Sequence, residues 1–73
     1  MKNIKLIRVT KDYTQIKVQM DTGISQSTLS KYECGELMPT IENLIVLAKY
    51  YNTSLDFLMD LTDERTPYPQ KKA

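Results

Sequence analysis

Residues 21–35, DTGISQSTLSKYECG, group several side chains that can donate and accept hydrogen bonds. The only two glycines of the chain, Gly23 and Gly35, bracket the stretch, and the residues between them are enough for about three turns of helix. The stretch is rich in Ser, Thr, Gln and Lys and poor in apolar residues. Such a segment can contribute little to a hydrophobic core. Its side chains are typical of a surface that binds a polar partner.

The residue inventory excludes several kinds of catalytic site. The chain has no histidine and a single cysteine, Cys34. It therefore lacks the histidine base of a serine or cysteine triad and the common ligand sets of a metal centre, and it cannot form an internal disulfide. We predict no catalytic residues, no metal and no cofactor, and we expect that the protein is not an enzyme.

Length and composition indicate one small folded domain. The chain has 73 residues, of which 41% are hydrophobic and 26% are charged, as in ordinary globular domains. No apolar run approaches the ~20 residues that cross a bilayer, and the amino terminus does not resemble a signal peptide. We therefore predict a cytoplasmic protein without a membrane association.

Charge is unevenly distributed along the chain. Residues 1–35 carry six cations against three anions, and residues 36–64 carry one cation against six anions. Random scatter is the ordinary alternative. A basic first half would suit an anionic partner, while the acidic half faces elsewhere.

Apolar periodicity, polar caps and glycine positions predict an all-α fold of five helices. Thr14, Ser25 and Ser54 are suitable N-caps, and Gly23 and Gly35 are suitable helix ends. The predicted helices cover about residues 3–11, 15–21, 26–34, 41–51 and 55–61. We predict a domain at residues 1–61 and a flexible or extended tail at residues 62–73.

The third and fourth helices have contrasting patterns. In the third, Leu29 and Tyr32 point inward, so the polar residues lie on the opposite side. In the fourth, we expect a wide buried stripe. Its predicted members are Ile41, Leu44, Ile45, Leu47, Ala48 and Tyr51.

The polar face of the third helix has the chemistry of a major-groove reader. A helix fits the groove, Gln can bond adenine, Lys can donate to guanine, and Ser adapts to several base edges. The amino-terminal end of the helix favours a phosphate, because free N–H groups and the helix dipole point there. A solvated polar face is the alternative for any one of these residues.

The sequence resembles the Cro/phage-repressor helix-turn-helix family, also called XRE-type. The resemblance covers residues 4–61 without a break in spacing. It is carried by TQ at 14–15, GIS at 23–25, STLSKYE at 27–33, Gly35, PT at 39–40, LA at 47–48 and SLD at 54–56. The resemblance implies a five-helix lambda-repressor-like fold in which helices 2 and 3 form the helix-turn-helix.

The resemblance also implies roles for individual residues. The predicted base contacts are Gln26, Ser27, Ser30 and Lys31. The predicted contacts to the DNA backbone are Thr14, Gln15, Ser25 and Thr28, where Thr28 has inward packing as an equal alternative. Arg8 and Glu33 correspond to a structural ion pair between the first and third helices.

Two residues depart from the family pattern. Gln19 stands where a small residue is usual at the approach of helices 2 and 3, so its side chain must turn outward or the helices must separate. Thr22 replaces a usual Leu. Both predict a less well packed contact between the two helices.

Taken together, these features predict a sequence-specific DNA-binding transcriptional regulator, a repressor by its resemblance. Its expected partner is double-stranded DNA, bound as a homodimer on an inverted repeat. Helix 5 and the tail hold more apolar residues than a short terminal helix needs, which makes them the predicted dimer surface. The alternative is a protein-interaction module of the same fold, such as an antitoxin or a coactivator-like partner.

Overall fold

The computed structural model describes residues 1–67, and that part of the chain folds into five α-helices without a β-strand. The helices are α1 (Lys2–Thr10), α2 (Gln15–Thr22), α3 (Gln26–Cys34), α4 (Ile41–Tyr51) and α5 (Leu55–Leu58). The predicted all-α class and helix order are confirmed. Part of the predicted tail, residues 68–73, lies outside the described residues.

Side-chain caps begin four of the five helices. The hydroxyl groups of Thr14, Ser25, Thr40 and Ser54 each accept a hydrogen bond from a backbone N–H in the first turn of the following helix. Each bond satisfies an amide that the helix itself leaves without a partner. The caps predicted at Thr14, Ser25 and Ser54 are therefore confirmed.

Left-handed residues end the two helices of the central pair. Gly23 and Gly35 have φ angles of 80° and 84°, which residues with a Cβ rarely adopt. Each lies directly after the last residue of its helix, as predicted. Gly23 thus ends α2 just before the turn, and Gly35 ends α3.

The first helix is capped from the other end of the chain. No side chain at its own start caps it. The carboxylate of Asp60 instead accepts hydrogen bonds from the backbone N–H groups of Lys2 and Asn3, at 3.1 and 2.9 Å. Asp60 has a positive φ of 63°, and α5 already ends at Leu58. The predicted extension of α5 to residue 61 is wrong, because the chain turns there to cap α1.

A single core joins all five helices. Its members are Ile4, Ile7, Val18, Ile24, Leu29, Tyr32, Leu44, Leu47, Tyr51, Phe57 and Leu58. In α4, Leu44, Leu47 and Tyr51 lie on the inward face. Ile41 and Ile45 are 65% and 40% exposed, so their predicted burial is wrong. The core contacts one side of α4, and these two isoleucines lie at the exposed edge of that side.

The short helix α5 is part of the core. Phe57 and Leu58 are buried, and Leu55 and Met59 are half-buried against the core. The expectation that helix 5 has surplus apolar residues is therefore wrong for Phe57 and Leu58. Leu61, which follows the helix, is exposed.

Residues 62–67 are not helical, and several contacts hold them against the domain. Thr53 Oγ1 donates to the backbone oxygen of Arg65 at 2.7 Å, and the Arg65 guanidinium lies 5.6 Å from the centre of the Phe57 ring. Within residues 1–67, no helix is long and apolar enough to cross a membrane.

Candidate nucleic-acid interface

The turn between α2 and α3 is built from local hydrogen bonds. Gly23 redirects the chain, and Ile24 inserts into the core directly after it. Thr22 Oγ1 donates to the backbone oxygen of Val18 at 2.7 Å and accepts from the N–H of Ile24 at 3.2 Å. Thr22 therefore ties the end of α2 to the turn. This bonding is the structural use of a threonine where the family pattern has an apolar residue.

All four predicted base-contacting residues lie on the solvent side of α3. Gln26, Ser27, Ser30 and Lys31 are exposed, while Leu29 and Tyr32 are buried. Gln26 and Ser30 are four residues apart, as are Ser27 and Lys31, so the four side chains share one surface. That surface offers an amide, two hydroxyls and an ammonium to a partner.

The carboxyl-terminal half of α3 is attached to α4 and α1. Asn43 Nδ2 donates to the Tyr32 hydroxyl at 2.8 Å, and the amino-terminal ammonium of Met1 donates to the backbone oxygen of Tyr32 at 3.0 Å. Tyr32 thus combines a buried ring with two polar contacts. These contacts leave the outward surface of the helix unobstructed.

The predicted backbone-contacting residues lie at the amino-terminal ends of α2 and α3. Thr14 and Ser25 are exposed caps that accept from the N–H groups of Lys17 and Thr28, at 3.0 and 3.1 Å. Ser25 Oγ also donates to Thr28 Oγ1 at 2.9 Å, and Thr28 is half-buried. The start of α3 therefore satisfies part of its hydrogen-bonding capacity internally.

Gln15 joins both ends of the α3 surface to α2. Its Nε2 donates to Glu33 Oε1 at 3.1 Å, and its Oε1 accepts from Gln26 Nε2 at 3.5 Å. Gln15 is half-buried by these contacts. It can offer one remaining amide hydrogen to a phosphate while it orients the side chain of Gln26.

Gln19 makes the contact that the sequence did not reveal. Its Oε1 accepts a hydrogen bond from the backbone N–H of Gln26 at 2.7 Å. This N–H belongs to the first residue of α3 and would otherwise lack a helical partner. The side chain does turn outward, as one of the two expected outcomes, but there it caps α3 from α2. A glutamine four residues after Gln15 on the same helix face is the signal that was available.

Arg8 and Glu33 form a bidentate ion pair between α1 and α3. Arg8 Nε and Nη2 donate to the two carboxylate oxygens of Glu33 at 2.7 and 2.9 Å, and Nη1 donates to the backbone oxygen of Tyr13. The side chains are 12% and 4% exposed. The hydrogen bonds to Glu33 raise the pKa of Arg8. Each of the three guanidinium nitrogens thus donates a hydrogen bond within the fold.

Two further cations, Lys5 and Lys17, lie on the helices that precede α3. Lys5 of α1 lines a shallow depression together with Ser30 and Cys34 of α3, and sequence reasoning did not single it out. Lys17 instead pairs with Asp21 at 2.9 Å. Hydrogen bonds from Tyr50 and Lys17 hold the pKa of Asp21 below its usual value. Lys5 and Lys31 make no ion pair within residues 1–67.

The arrangement suits binding and offers no catalytic constellation within the described residues. No group of His, Cys, Asp and Glu side chains in that part of the chain could hold a metal ion. What α3 presents is a row of donors and acceptors on a helix whose two ends are attached to its neighbours. A helix that reads base edges in the major groove needs an exposed surface of this kind.

Comparison with known proteins places this geometry in a family. A family model described as Helix-turn-helix matches residues 4–58. Over 69 residues the chain is 28% identical to the uncharacterized HTH-type transcriptional regulator YobD of Bacillus subtilis, covering 94% of this chain and 62% of that protein. No solved structure matches the chain significantly.

Two further relatives are named by function. The cryptic phage CTXphi transcriptional repressor RstR of Vibrio cholerae is 42% identical over 45 residues, which are 62% of this chain and 40% of RstR. The antitoxin PezA of Streptococcus pneumoniae is 38% identical over 53 residues, which are 73% of this chain and 34% of PezA. The chain thus spans less than two thirds of the length of each of these relatives. Since the family model covers most of its length, the chain belongs to the XRE-type helix-turn-helix family of transcriptional regulators.

Proposed function

We propose that this protein is a sequence-specific DNA-binding regulator that lays α3 in the major groove. The observation that carries the proposal is the exposed polar surface of α3. Gln26 is suited to adenine and Lys31 to guanine, while Ser27 and Ser30 can donate to or accept from several base edges. The function proposed is binding and not catalysis.

The amino-terminal ends of α2 and α3 are the proposed phosphate contacts. Thr14, Gln15, Ser25 and Thr28 lie there, where the helix dipole favours an anion. Lys5 adds a cation beside Ser30 on the α1 side. Contacts of this kind position a protein on DNA without reading its sequence.

We propose repression by a homodimer on an inverted repeat. The similarity to the phage repressor RstR supports repression. A single α3 reads only a few base pairs, and a two-fold dimer places two such helices about 34 Å apart, one turn of DNA. Symmetric pairing would therefore lengthen the recognised sequence.

Selection of bound duplexes from a random pool tests the proposal. We expect a palindromic consensus. Failure to enrich any sequence would contradict the proposal and favour the second candidate, a protein-interaction module. The similarity to the antitoxin PezA is the observation that supports this second candidate.

Substitutions on α3 test the assignment of base contacts. Replacing Gln26 or Lys31 with Ala is expected to weaken binding to the consensus by ~1–3 kcal/mol and to relax preference at one position of each half-site. Lys11→Ala, which removes a cation outside α3, is the control and should leave base preference unchanged. Equal losses on every DNA sequence would contradict base readout.

Lys5→Ala tests the phosphate side of the interface. It should weaken binding to all sequences alike and reduce the slope of log affinity against log salt by about one. A loss confined to the consensus sequence would show that Lys5 contacts bases and not phosphates.

A further inference from the structure

The exposed side of α4 carries apolar side chains that have no partner within residues 1–67. Ile41 and Ile45 lie four residues apart beside the buried side of the helix, about 40° from each other around its axis, and Val46 lies about 100° beyond Ile45. Leu37 and Met38, in the segment that precedes the helix, are also exposed. We call Ile41, Ile45 and Val46 the α4 outer face. A concentration of exposed apolar side chains of this kind marks an interaction site.

Two opposite charges lie between Ile45 and Val46 around this face. At about 100° per residue, Lys49 follows Ile45 by about 40° around the helix, and Glu42 lies within about 20° of Lys49. Both side chains are exposed, and neither forms an ion pair with any of residues 1–67. They stand seven residues apart, which is about 10 Å along the axis.

These positions make the face complementary to itself. Consider two copies of α4 packed antiparallel about a two-fold axis at the level between Ile45 and Val46. Residue 42 of one copy then stands level with residue 49 of the other. The two-fold axis also keeps these charges on the same side of the helix pair. Glu42 of each copy therefore meets Lys49 of the other, while the two Ile45 side chains face each other in the middle.

We infer that the α4 outer face binds a second copy of this chain, with a symmetric Glu42–Lys49 pair on either side of the central Ile45 contact. A two-fold interface requires that residue i contacts residue j and that j contacts i, and this face meets that condition. The inference rests on the proposed function, because it names the surface through which the proposed dimer forms. It moves that surface from α5, whose apolar residues serve the core, to α4.

Charge reversal tests the pairing most directly. In sedimentation equilibrium of the full chain without DNA, E42K and K49E should each weaken dimerisation by about tenfold, because each creates like-charge contacts across the two-fold axis. The double variant E42K/K49E restores opposite charges and should return the dissociation constant to within about threefold of the original. Ile45→Lys should abolish dimerisation.

Control variants distinguish the α4 outer face from other exposed apolar positions. Val9→Lys, at an exposed apolar position on α1, should leave the association unchanged, and Leu61→Lys tests the surface after α5. Thermal unfolding of each variant at low concentration checks that the monomer still folds. A chain that stays monomeric at every concentration would overturn the inference. So would association that Leu61→Lys removes, or that the double variant fails to restore.

The DNA-binding proposal is measured separately. Each variant is titrated with a duplex that carries a single half-site of the selected consensus, which one copy can bind. Half-site binding without any self-association would overturn the inference and leave the proposed DNA binding by α3 in place. Charge-dependent dimerisation without selection of any DNA sequence would support the inference and contradict the proposed function.

Discussion

The helices α3 and α4 are similar in length but are held in the fold by different forces. α4 buries Leu44, Leu47 and Tyr51 on one face. α3 buries only Leu29 and Tyr32, and polar contacts hold its ends. Gln19 binds its first N–H, and Arg8 binds Glu33 near its last turn. A helix whose outer face is polar, with few residues left for the core, needs directional bonds to fix its position.

The different attachment of α3 and α4 predicts which substitutions affect stability and which affect orientation. Burial of a large aliphatic side chain is worth about 1.5–3 kcal/mol, whereas a typical hydrogen bond adds about 0.5–1.5 kcal/mol. Substitutions inside α4 should therefore act on the stability of the whole domain. Substitutions that release α3 should act more on the orientation of its surface. The variants below test that division, beginning with the largest expected effect.

Leu47→Ala should have the largest effect on folding. Leu47 is fully buried, and its truncation leaves a cavity where several helices meet, so the expected loss is ~4 kcal/mol. In a domain of this size that loss removes most of the folded population. Urea unfolding followed by circular dichroism measures it. Met20→Ala, at a strongly exposed position, is the control, and equal losses for both variants would contradict the assignment of the core.

Glu33→Gln should follow in size. It leaves the Arg8 guanidinium largely buried without its counter-charge, for an expected loss of about 3 kcal/mol. Asp21→Asn breaks the exposed pair with Lys17 and should have a far smaller effect on unfolding. If the two variants destabilise the domain equally, the Arg8–Glu33 pair is not what holds α3 to α1.

Gln19→Ala should affect the orientation of α3 more than the stability of the fold. The loss of one hydrogen bond is expected to lower the free energy of unfolding by about 1 kcal/mol, while binding to the selected DNA falls because the start of α3 is released. Gln19→Glu keeps an acceptor beside a helix amino terminus and should keep the stability. Its negative charge should nevertheless weaken DNA binding. Unchanged unfolding in Gln19→Ala would show that the contact does not hold α3.

Tyr51→Phe should have the smallest effect, and in the opposite direction. The buried Tyr51 hydroxyl has no hydrogen-bond partner within residues 1–67, so its removal should stabilise the fold by up to about 1 kcal/mol. A clear loss of stability on this substitution would show that the hydroxyl is bonded in solution.

The same residue makes stability depend on alkaline pH. Burial, and to a lesser extent the charge of Glu33, raises the pKa of Tyr51 in the folded state above its unfolded value of 10.0. The folded state then binds the proton more tightly, so this contribution is complete below pH 10 and is lost as pH rises above it. Tyr51→Phe should show a shallower decline of stability above pH 10 than the original chain. Identical declines would contradict the raised pKa.

Local signals made much of the fold and of the proposed site predictable. Thr14, Ser25 and Ser54 followed by apolar periodicity indicate where helices begin, because a cap bonds an amide only a few residues away. The surface of α3 was predictable for the same reason, since helical spacing alone separates Leu29 and Tyr32 from the polar residues.

Other features depend on contacts between distant parts of the chain. The end of α5 was misplaced because Asp60 turns to cap α1, whose first residue lies 58 positions away in sequence. Gln19 was recognised as unusual, but its partner on α3 became visible only when the two helices were brought together.

By itself, the sequence determined which residues form helices, where those helices start, and which polar side chains of α3 share a face. Only the tertiary structure decided which apolar residues of α4 the core would use and which it would leave outside. Helical periodicity fixes the angles between side chains on one helix. It does not fix which of two apolar directions the neighbouring helices will cover. Ile41 and Ile45 lie on a part of α4 that the neighbouring helices leave exposed.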